Sequence, residues 1–329
     1  MRPSMLAYLT SALLSLPLYA KELPSLKLDA NITLSGLSSG AYMAGQYHLA
    51  FAEHVDGVAM IAAGPVYCAQ NSLGLALEHC FNKATSAPDM AAINTYIKQQ
   101  QADGKLAPLS ALADDKVWIF HGSKDATVYP ALATTLYQQY QQWIKPDNIA
   151  LLNDKAFGHT FPTDRTDLGR CDLSEPPFLA SCNYDAAGTL LRYLLGEVQA
   201  KSSHTTGQLH AINQHQLATA ATTTLAETGY LYVPDSCASG QQCRLHVSFH
   251  GCKQHAGNVG EAFVSGTGLN NYADSNNLVI FYPQTSASNI NPFNPNACWD
   301  WWGYSGEHYA TKQGPQMAAV KQLIEALSQ

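Results

Sequence analysis

An apolar strand, a tight glycine turn and a helix follow one another in Ile32-Thr33-Leu34-Ser35-Gly36-Leu37-Ser38-Ser39-Gly40-Ala41-Tyr42-Met43-Ala44. A G-x-S-x-G pattern in this strand–turn–helix setting predicts a nucleophile elbow, in which a strained turn presents the central serine. Ser38 is then the nucleophile, and the backbone N–H of Ser39 is an oxyanion donor. Glycine is expected at both outer positions because a Cβ would collide where strand and helix approach. Taken alone, these five residues also fit an ordinary Ser/Gly turn.

Two loops farther along the chain carry the partners that a serine nucleophile needs. Asp125 follows the predicted strand Lys116–Phe120, and His159 follows the predicted strand Ile149–Leu152. Loops after the carboxyl ends of parallel strands meet at one edge of a sheet. An imidazole there can take the serine proton, and a carboxylate can orient the imidazole. The order Ser38, Asp125, His159 is that of α/β-hydrolases. The nearest competing groups are Asp154, Asp164 and His121.

The second half of the chain continues the alternation of strands and helices. It predicts strands at Gly229–Pro234, Arg244–Phe249 and Leu278–Gln284, with a helix at about Val259–Asn276. The second strand ends in His250-Gly251-Cys252, and α/β-hydrolases carry such an H-G oxyanion loop before the elbow. Here it comes after the triad, which indicates a circular permutation of one sheet. A simple strand-end turn is the alternative for His250-Gly251.

These patterns predict an α/β fold with a mostly parallel central sheet flanked by helices. Cysteine-containing loops are expected at residues 67–84 and 163–184. Helices are expected at Ser39–Glu53, Met90–Gln101, Tyr129–Ile144, Tyr184–Glu197 and Gly314–Leu327.

A loop rich in asparagine and proline carries three tryptophans in four positions, Trp299, Trp301 and Trp302. We expect them to line an apolar crevice for an acyl chain or a polymer, although at least one is expected to pack in the core. If Cys298 joins Cys252, this loop lies beside the predicted oxyanion strand.

Charge and the N-terminus bear on partners and location. The 329-residue chain has a net charge of −7 and only 13% charged residues, which does not favour a nucleic-acid partner. Arg2, the apolar run Met5–Leu18 and Tyr19-Ala20 predict a cleaved signal peptide over residues 1–20. That run is too short to span a membrane, and no later segment reaches that length. We therefore expect a secreted protein, extracellular or periplasmic, that acts as a monomer without a membrane partner.

Eight cysteines fit an oxidising compartment. Spacing favours neighbours as partners, although about 105 pairings are possible. Zinc is not favoured, because no C-x-x-C pair occurs. The neighbouring pairs are Cys68 with Cys80, Cys171 with Cys182, Cys237 with Cys243, and Cys252 with Cys298.

Several motifs together resemble the single-domain extracellular poly(3-hydroxybutyrate) depolymerases, which are permuted α/β-hydrolases. The resemblance covers essentially the whole mature chain, and it implies that residues 21–329 form one catalytic domain without a separate polymer-binding domain. The motifs are Gly36–Ala44, His159–Asp164, Ser181–Asp185, Gly229–Pro234, His250–Cys252 and Cys298–Trp301.

The resemblance also implies residue roles. Ser38, Asp125 and His159 form the triad, and the backbone N–H groups of Ser39 and Cys252 form the oxyanion hole. We further expect Trp299, Trp301, Trp302 and His250 to contact substrate, and the cysteines to pair around these loops. The implied activity is hydrolysis of short-chain polyhydroxyalkanoates through an acyl-enzyme, with no metal or cofactor.

Two rival functions use the same residues differently. An esterase acting on soluble or plant-wall esters, such as feruloyl or acetyl esters, would share the triad. A secreted binding protein with a decayed hydrolase fold is the non-enzymatic rival, and the intact triad residues argue against it.

Overall fold

The computed structural model describes residues 23–81 and 86–328. The predicted signal peptide, residues 1–20, lies outside the described residues. Within these ranges, every helix is too short or too polar to cross a membrane.

A large sheet forms the centre of the molecule. The strands of the described chain are β1 (Lys27–Leu37), β2 (Val55–Ile61), β3 (Lys116–Phe120), β4 (Ile149–Leu152), β5 (Phe161–Thr163), β6 (Gly169–Arg170), β7 (Leu179–Ser181), β8 (Gln208–Asn213), β9 (Thr228–Val233), β10 (Gln242–Phe249) and β11 (Leu278–Tyr282). The large sheet has the order β4-β3-β2-β1-β10-β11-β9-β8. Neighbours from β4 to β11 in this order pair in parallel, whereas β9 is antiparallel to both β11 and β8.

The sheet order reveals the permutation directly. If the chain is read from β8 through β11 and then from β1 through β4, the strands lie in the order 1-2-4-3-5-6-7-8 across the sheet. That is the α/β-hydrolase order with its first half moved to the C-terminus. The predicted permuted α/β-hydrolase fold is therefore confirmed, and β1 and β10 become central neighbours.

Helices cover both faces of the sheet. Successive strand residues point to opposite faces, so Val58 packs in one core with Met43 and Leu323, and Ala59 packs in the other with Leu190. The helices are α1 (Ser39–Ala50), α2 (Leu73–His79), α3 (Met90–Ala102), α4 (Ala131–Tyr140), α5 (Ala186–Leu195), α6 (Gln214–Leu217), α7 (Asp235–Ala238), α8 (Ala256–Val259), α9 (Ala262–Gly266), α10 (Leu269–Asn276) and α11 (Pro315–Leu327).

Several predicted boundaries are wrong. The single helix predicted at Val259–Asn276 is wrong: α8 ends at Val259, and two short helices, α9 and α10, follow it. Gly260 and Gly268 cause the breaks, because they adopt positive φ values of 59° and 88° and end the turns before them. Residues 163–184 are not only loop, since β5, β7 and β6 form a small three-stranded sheet there. The loop at 67–84 contains α2, and α4 is shorter than predicted.

Four disulfides pin the loops around this framework. They join the neighbours that spacing favoured: Cys68–Cys80, Cys171–Cys182, Cys237–Cys243 and Cys252–Cys298. The last one ties the end of β10 to the tryptophan loop, which places both beside the elbow.

Candidate active site

Ser38 lies in the sharp turn between β1 and α1. Its φ of 58° is in the left-handed region, and its N–H donates to the carbonyl of Ile61 at 2.9 Å. A Cβ on Gly36 would lie 2.2 Å from the carbonyl oxygen of Gly40, and a Cβ on Gly40 would lie 2.3 Å from that of Phe249. Both glycines are therefore required by close backbone approaches, as the motif predicts.

Gly40→Ala is expected to lower the free energy of unfolding by at least about 3 kcal/mol, because its methyl group would overlap backbone atoms of the neighbouring strand. Chemical denaturation followed by circular dichroism measures the change. Gly74→Ala is the matched control, since an added Cβ there meets only a flexible side-chain oxygen at 3.5 Å. It should leave stability unchanged or raise it by about 0.5–1 kcal/mol. Equal effects of the two variants would contradict the packing argument.

The loops after β3 and β4 are held against each other by backbone contacts. The N–H groups of Ser123 and Lys124 donate to the carbonyls of Lys155 and Phe157 at 2.8 and 3.0 Å. A Cβ on Gly122 would lie 2.1 Å from the carbonyl oxygen of Phe157. Glycine at this position lets the two loops approach and brings Asp125 and His159 together.

Asp125 and His159 form a short hydrogen bond beside Ser38. Nδ1 of His159 lies 2.8 Å from Oδ2 of Asp125, and both side chains are buried. Donation from Nδ1 to the carboxylate leaves Nε2 as a proton acceptor. His159 and Ser38 line the same crevice. No direct hydrogen bond joins them in the described part of the chain, and such contacts commonly tighten when substrate binds.

Asp125 is also bound by His121, a contact that the sequence analysis did not predict. Nε2 of His121 lies 2.9 Å from the carbonyl of Val128 and 3.1 Å from Oδ2 of Asp125, so it is a donor to both. Oδ1 accepts from the N–H groups of Thr127 and Val128. Burial alone would raise the pKa of Asp125, but the hydrogen bonds from His121 and His159 outweigh it and hold the pKa well below its usual value.

The carboxylates that compete with Asp125 in the sequence lie outside the crevice. Asp154 is exposed and pairs with Lys155 at 3.2 Å, and Asp164 pairs with Lys201. His121 is fully buried and reaches the site only through Asp125.

Two unpaired backbone N–H groups point to an oxyanion site. Within the described residues, the N–H groups of Ser39 and Cys252 make no hydrogen bond, whereas the N–H of Gly251 donates to Oε1 of Gln254 at 2.7 Å. A Cβ on Gly251 would lie 3.4 Å from Cβ of Ser38, so the end of β10 packs directly against the elbow.

A crevice of about 540 Å³ opens over Ser38 and His159. Its walls are largely apolar, and Trp301 and Trp302 form part of them. Trp301 stacks on Tyr42 with ring centroids 5.1 Å apart. Trp299 differs from the prediction, since it is 0% exposed, does not line the crevice, and packs edge-on against Phe249.

Comparison with known proteins places these features in a family. The Esterase PHB depolymerase family model matches residues 228–329. The chain is 37% identical over 316 residues to a poly(3-hydroxybutyrate) depolymerase of Delftia acidovorans, covering 94% of this chain and 62% of that protein. It is 34% identical to a polyhydroxybutyrate depolymerase of Talaromyces funiculosus, covering 93% of each chain. The chain belongs to the PHB depolymerase family.

Solved structures of this family superpose closely on the chain. A serine-to-alanine variant of a PHB depolymerase complexed with an R3HB trimer matches with a TM-score of 0.85 at 33% identity, covering 92% of this chain and 99% of that one. The crystal structure of the Penicillium funiculosum PHB depolymerase gives the same score and identity, covering 93% and 98%.

His250 does not line the crevice, contrary to the expectation that it contacts substrate. It is 0% exposed, and both ring nitrogens are occupied. Nδ1 lies 2.7 Å from the carbonyl of Gly251, and Nε2 accepts from the N–H of Thr285 at 3.2 Å. Burial lowers the pKa of His250 to about 3. His250 is therefore neutral near pH 7 and holds the Gly251–Cys252 peptide through its carbonyl oxygen.

A second buried imidazole, His246, crosslinks the two central strands. Its nitrogens lie 2.8 Å from Oγ1 of Thr33 and 2.8 Å from Oγ of Ser35. Burial lowers the pKa of His246 from its usual value of 6.5 to about 3. Like His250, it is neutral in the folded protein and is protonated more readily when the chain unfolds.

The free energy of unfolding is therefore expected to fall as the pH drops from about 6.5 towards about 3, since the unfolded chain binds more protons in this range. Above pH 6.5 both states are neutral and the effect vanishes. Denaturant titrations between about pH 7 and about pH 4 measure the slope of the free energy of unfolding against pH. His246→Asn should reduce it, and an identical slope in wild type and variant would contradict a neutral buried His246.

Asp300 organises the tryptophan turn, a role that the sequence alone did not indicate. Its Oδ1 accepts from the backbone N–H groups of Trp302, Gly303 and Tyr304, and its Oδ2 accepts from the N–H and hydroxyl of Ser305. Burial raises its pKa, while these donors act in the opposite direction. A Trp-Asp-Trp pattern followed by glycine could have suggested such a capped turn.

No cluster of three or more His, Cys, Asp or Glu side chains within residues 23–81 and 86–328 could hold a metal ion.

Proposed function

We propose that the chain is a serine ester hydrolase that cleaves poly(3-hydroxybutyrate) or related short-chain polyhydroxyalkanoates and their oligomers. The observation that carries this proposal is the coupling of His159 to Asp125 beside Ser38, at the base of an apolar crevice. Membership of the PHB depolymerase family supports the substrate class.

Acylation begins when Ser38 attacks the ester carbonyl and Nε2 of His159 takes its proton. Asp125 holds the imidazole in the required tautomer and stabilises the imidazolium. The carbonyl oxygen becomes negatively charged and accepts hydrogen bonds from the backbone N–H groups of Ser39 and Cys252. Loss of one such donor typically costs about 3–4 kcal/mol of transition-state stabilisation. His159 then protonates the leaving alcohol as the C–O bond breaks.

Deacylation repeats these steps with water as the nucleophile. His159 takes a proton from water, the resulting tetrahedral intermediate uses the same N–H groups, and Ser38 is released with its proton restored from His159. The products are an alcohol and a carboxylate, so each turnover consumes one water molecule.

Solid polyester would be bound by the rim of the crevice. Leu73, Leu77 and Phe293 line the crevice and are 49%, 54% and 58% exposed. Leu73 and Leu77 stand one turn apart on α2, which Cys68–Cys80 holds in place. Exposed apolar side chains grouped around a site favour contact with an apolar surface.

We also propose that the mature protein begins near Lys21, is exported, and forms one catalytic unit. The predicted signal peptide and four disulfides support export, because disulfides persist in oxidising compartments.

Clearing of an amorphous poly(3-hydroxybutyrate) suspension by the mature protein tests the proposal. We expect the turbidity to fall and soluble 3-hydroxybutyrate oligomers to appear, with no clearing by Ser38→Ala. Rapid cleavage of feruloyl or acetyl esters, without cleavage of the polymer or its oligomers, would instead identify the rival esterase.

A further inference from the structure

One charged side chain stands out in the crevice wall. Lys253 is the only Lys, Arg, Asp or Glu among the described residues that line the crevice, and its side chain is exposed. It directly follows Cys252, whose N–H is the proposed oxyanion donor. Within the described ranges no carboxylate lies within ion-pair distance of Lys253.

The backbone at Lys253 is in a conformation that favours glycine. Its φ is 58°, and its N–H donates to the carbonyl of Asn296 at 2.7 Å. A left-handed conformation is energetically unfavourable for a residue with a Cβ, so glycine would fit this turn with less strain. A lysine here is thus not explained by the local fold, and it brings a cation to the wall of a largely apolar crevice.

An anionic substrate group is the natural partner of this cation. On the proposed function, soluble 3-hydroxybutyrate oligomers carry one free carboxylate, whereas internal segments of the polymer carry none. In such an oligomer the carboxylate always lies on the alcohol side of each ester bond, so it travels with the leaving group. Apolar walls weaken solvent screening and strengthen a charge contact at the mouth of a cleft.

We propose that Lys253 binds the free carboxylate of soluble 3-hydroxybutyrate oligomers and thereby selects ester bonds near their carboxyl end. This inference rests on the proposed function. The proposed contact makes the crevice selective for oligomer acids. The hydrolysis steps stay the same, because Lys253 contacts the substrate terminus and not the reacting atoms. Attack on uncharged polymer segments would not depend on this contact.

The test compares two substrates that differ only in the terminal charge, the (R)-3-hydroxybutyrate trimer as free acid and as methyl ester. Lys253→Met should raise KM for the acid about three- to tenfold and change KM for the methyl ester less than about twofold. The kcat values should stay close to those of wild type. Added salt should raise the wild-type KM for the acid selectively.

Three further variants separate charge from structure. Lys253→Arg should restore the low KM for the acid. Lys253→Gly should lose the preference for the acid over the methyl ester. It should unfold at the same or a higher temperature, since glycine removes the backbone strain of the positive φ. Lys98→Met removes one exposed charge from α3 outside the crevice and should leave both KM values unchanged.

Equal shifts of KM for acid and ester in Lys253→Met, or no shift for either, would overturn the inference while leaving the proposed hydrolase intact. Failure of wild type to cleave both trimers would overturn the proposed function, and this inference with it.

Discussion

Ser38→Ala is expected to lower kcat on a short 3-hydroxybutyrate ester by about 10⁴- to 10⁶-fold while the protein stays folded. The hydroxyl is the only group that forms the acyl-enzyme bond in the proposed mechanism, so KM should change little. The elbow itself does not require the hydroxyl, because Ser38 is held through its backbone N–H to Ile61. Initial rates with purified protein, together with a melting curve, measure both expectations.

A matched control is available on the surface. Ser239→Ala replaces an exposed serine at the end of α7 that does not line the crevice, and its rate should equal that of wild type. Retention of more than a hundredth of the wild-type kcat by Ser38→Ala, with contamination excluded, would mean that another group is the nucleophile.

Asp125→Asn should lower kcat by about 10⁴-fold. The amide oxygen can still accept from the N–H groups of Thr127 and Val128. Its NH₂ group would then donate to Nδ1 of His159 and force the ring proton onto Nε2. A protonated Nε2 cannot take the proton of Ser38. Initial rates and an NMR assignment of the His159 tautomer measure the two linked effects.

The carboxylates that competed with Asp125 in the sequence are its controls. Asp154→Asn and Asp164→Asn should retain activity, because these side chains pair with lysines outside the crevice. A larger loss in either of them than in Asp125→Asn would refute the assignment of the acid.

The elbow and the alternation of strands and helices could be predicted because their signals are local. Gly36 and Gly40 mark a turn in which neither of these two positions has room for a Cβ, and β3 and β4 are short apolar runs with the predicted bounds. The permutation could be predicted because the His250-Gly251 loop follows a strand, and the sheet places that strand beside β1.

Other features depend on how side chains pack in the folded molecule, which the sequence pattern did not reveal. His250 and Trp299 looked available for substrate, yet packing against Thr285 and Phe249 buries both. His121 lies at the end of the strand before the predicted loop. The sequence does not show that this loop folds back and brings Asp125 into contact with His121. The strand β8 was not predicted, because its alternation is weak and its partner β9 follows only after α6 and a further helical turn.

Trapping of the acyl-enzyme tests the central claim most directly. Wild-type protein is mixed with excess 3-hydroxybutyrate trimer methyl ester, quenched in acid during turnover, digested and analysed by mass spectrometry. We predict an adduct of one or more 3-hydroxybutyryl units on the peptide that contains Ser38, and none in Ser38→Ala. Steady turnover with an adduct on another residue, or with no adduct when deacylation is shown to be rate-limiting, would contradict the account.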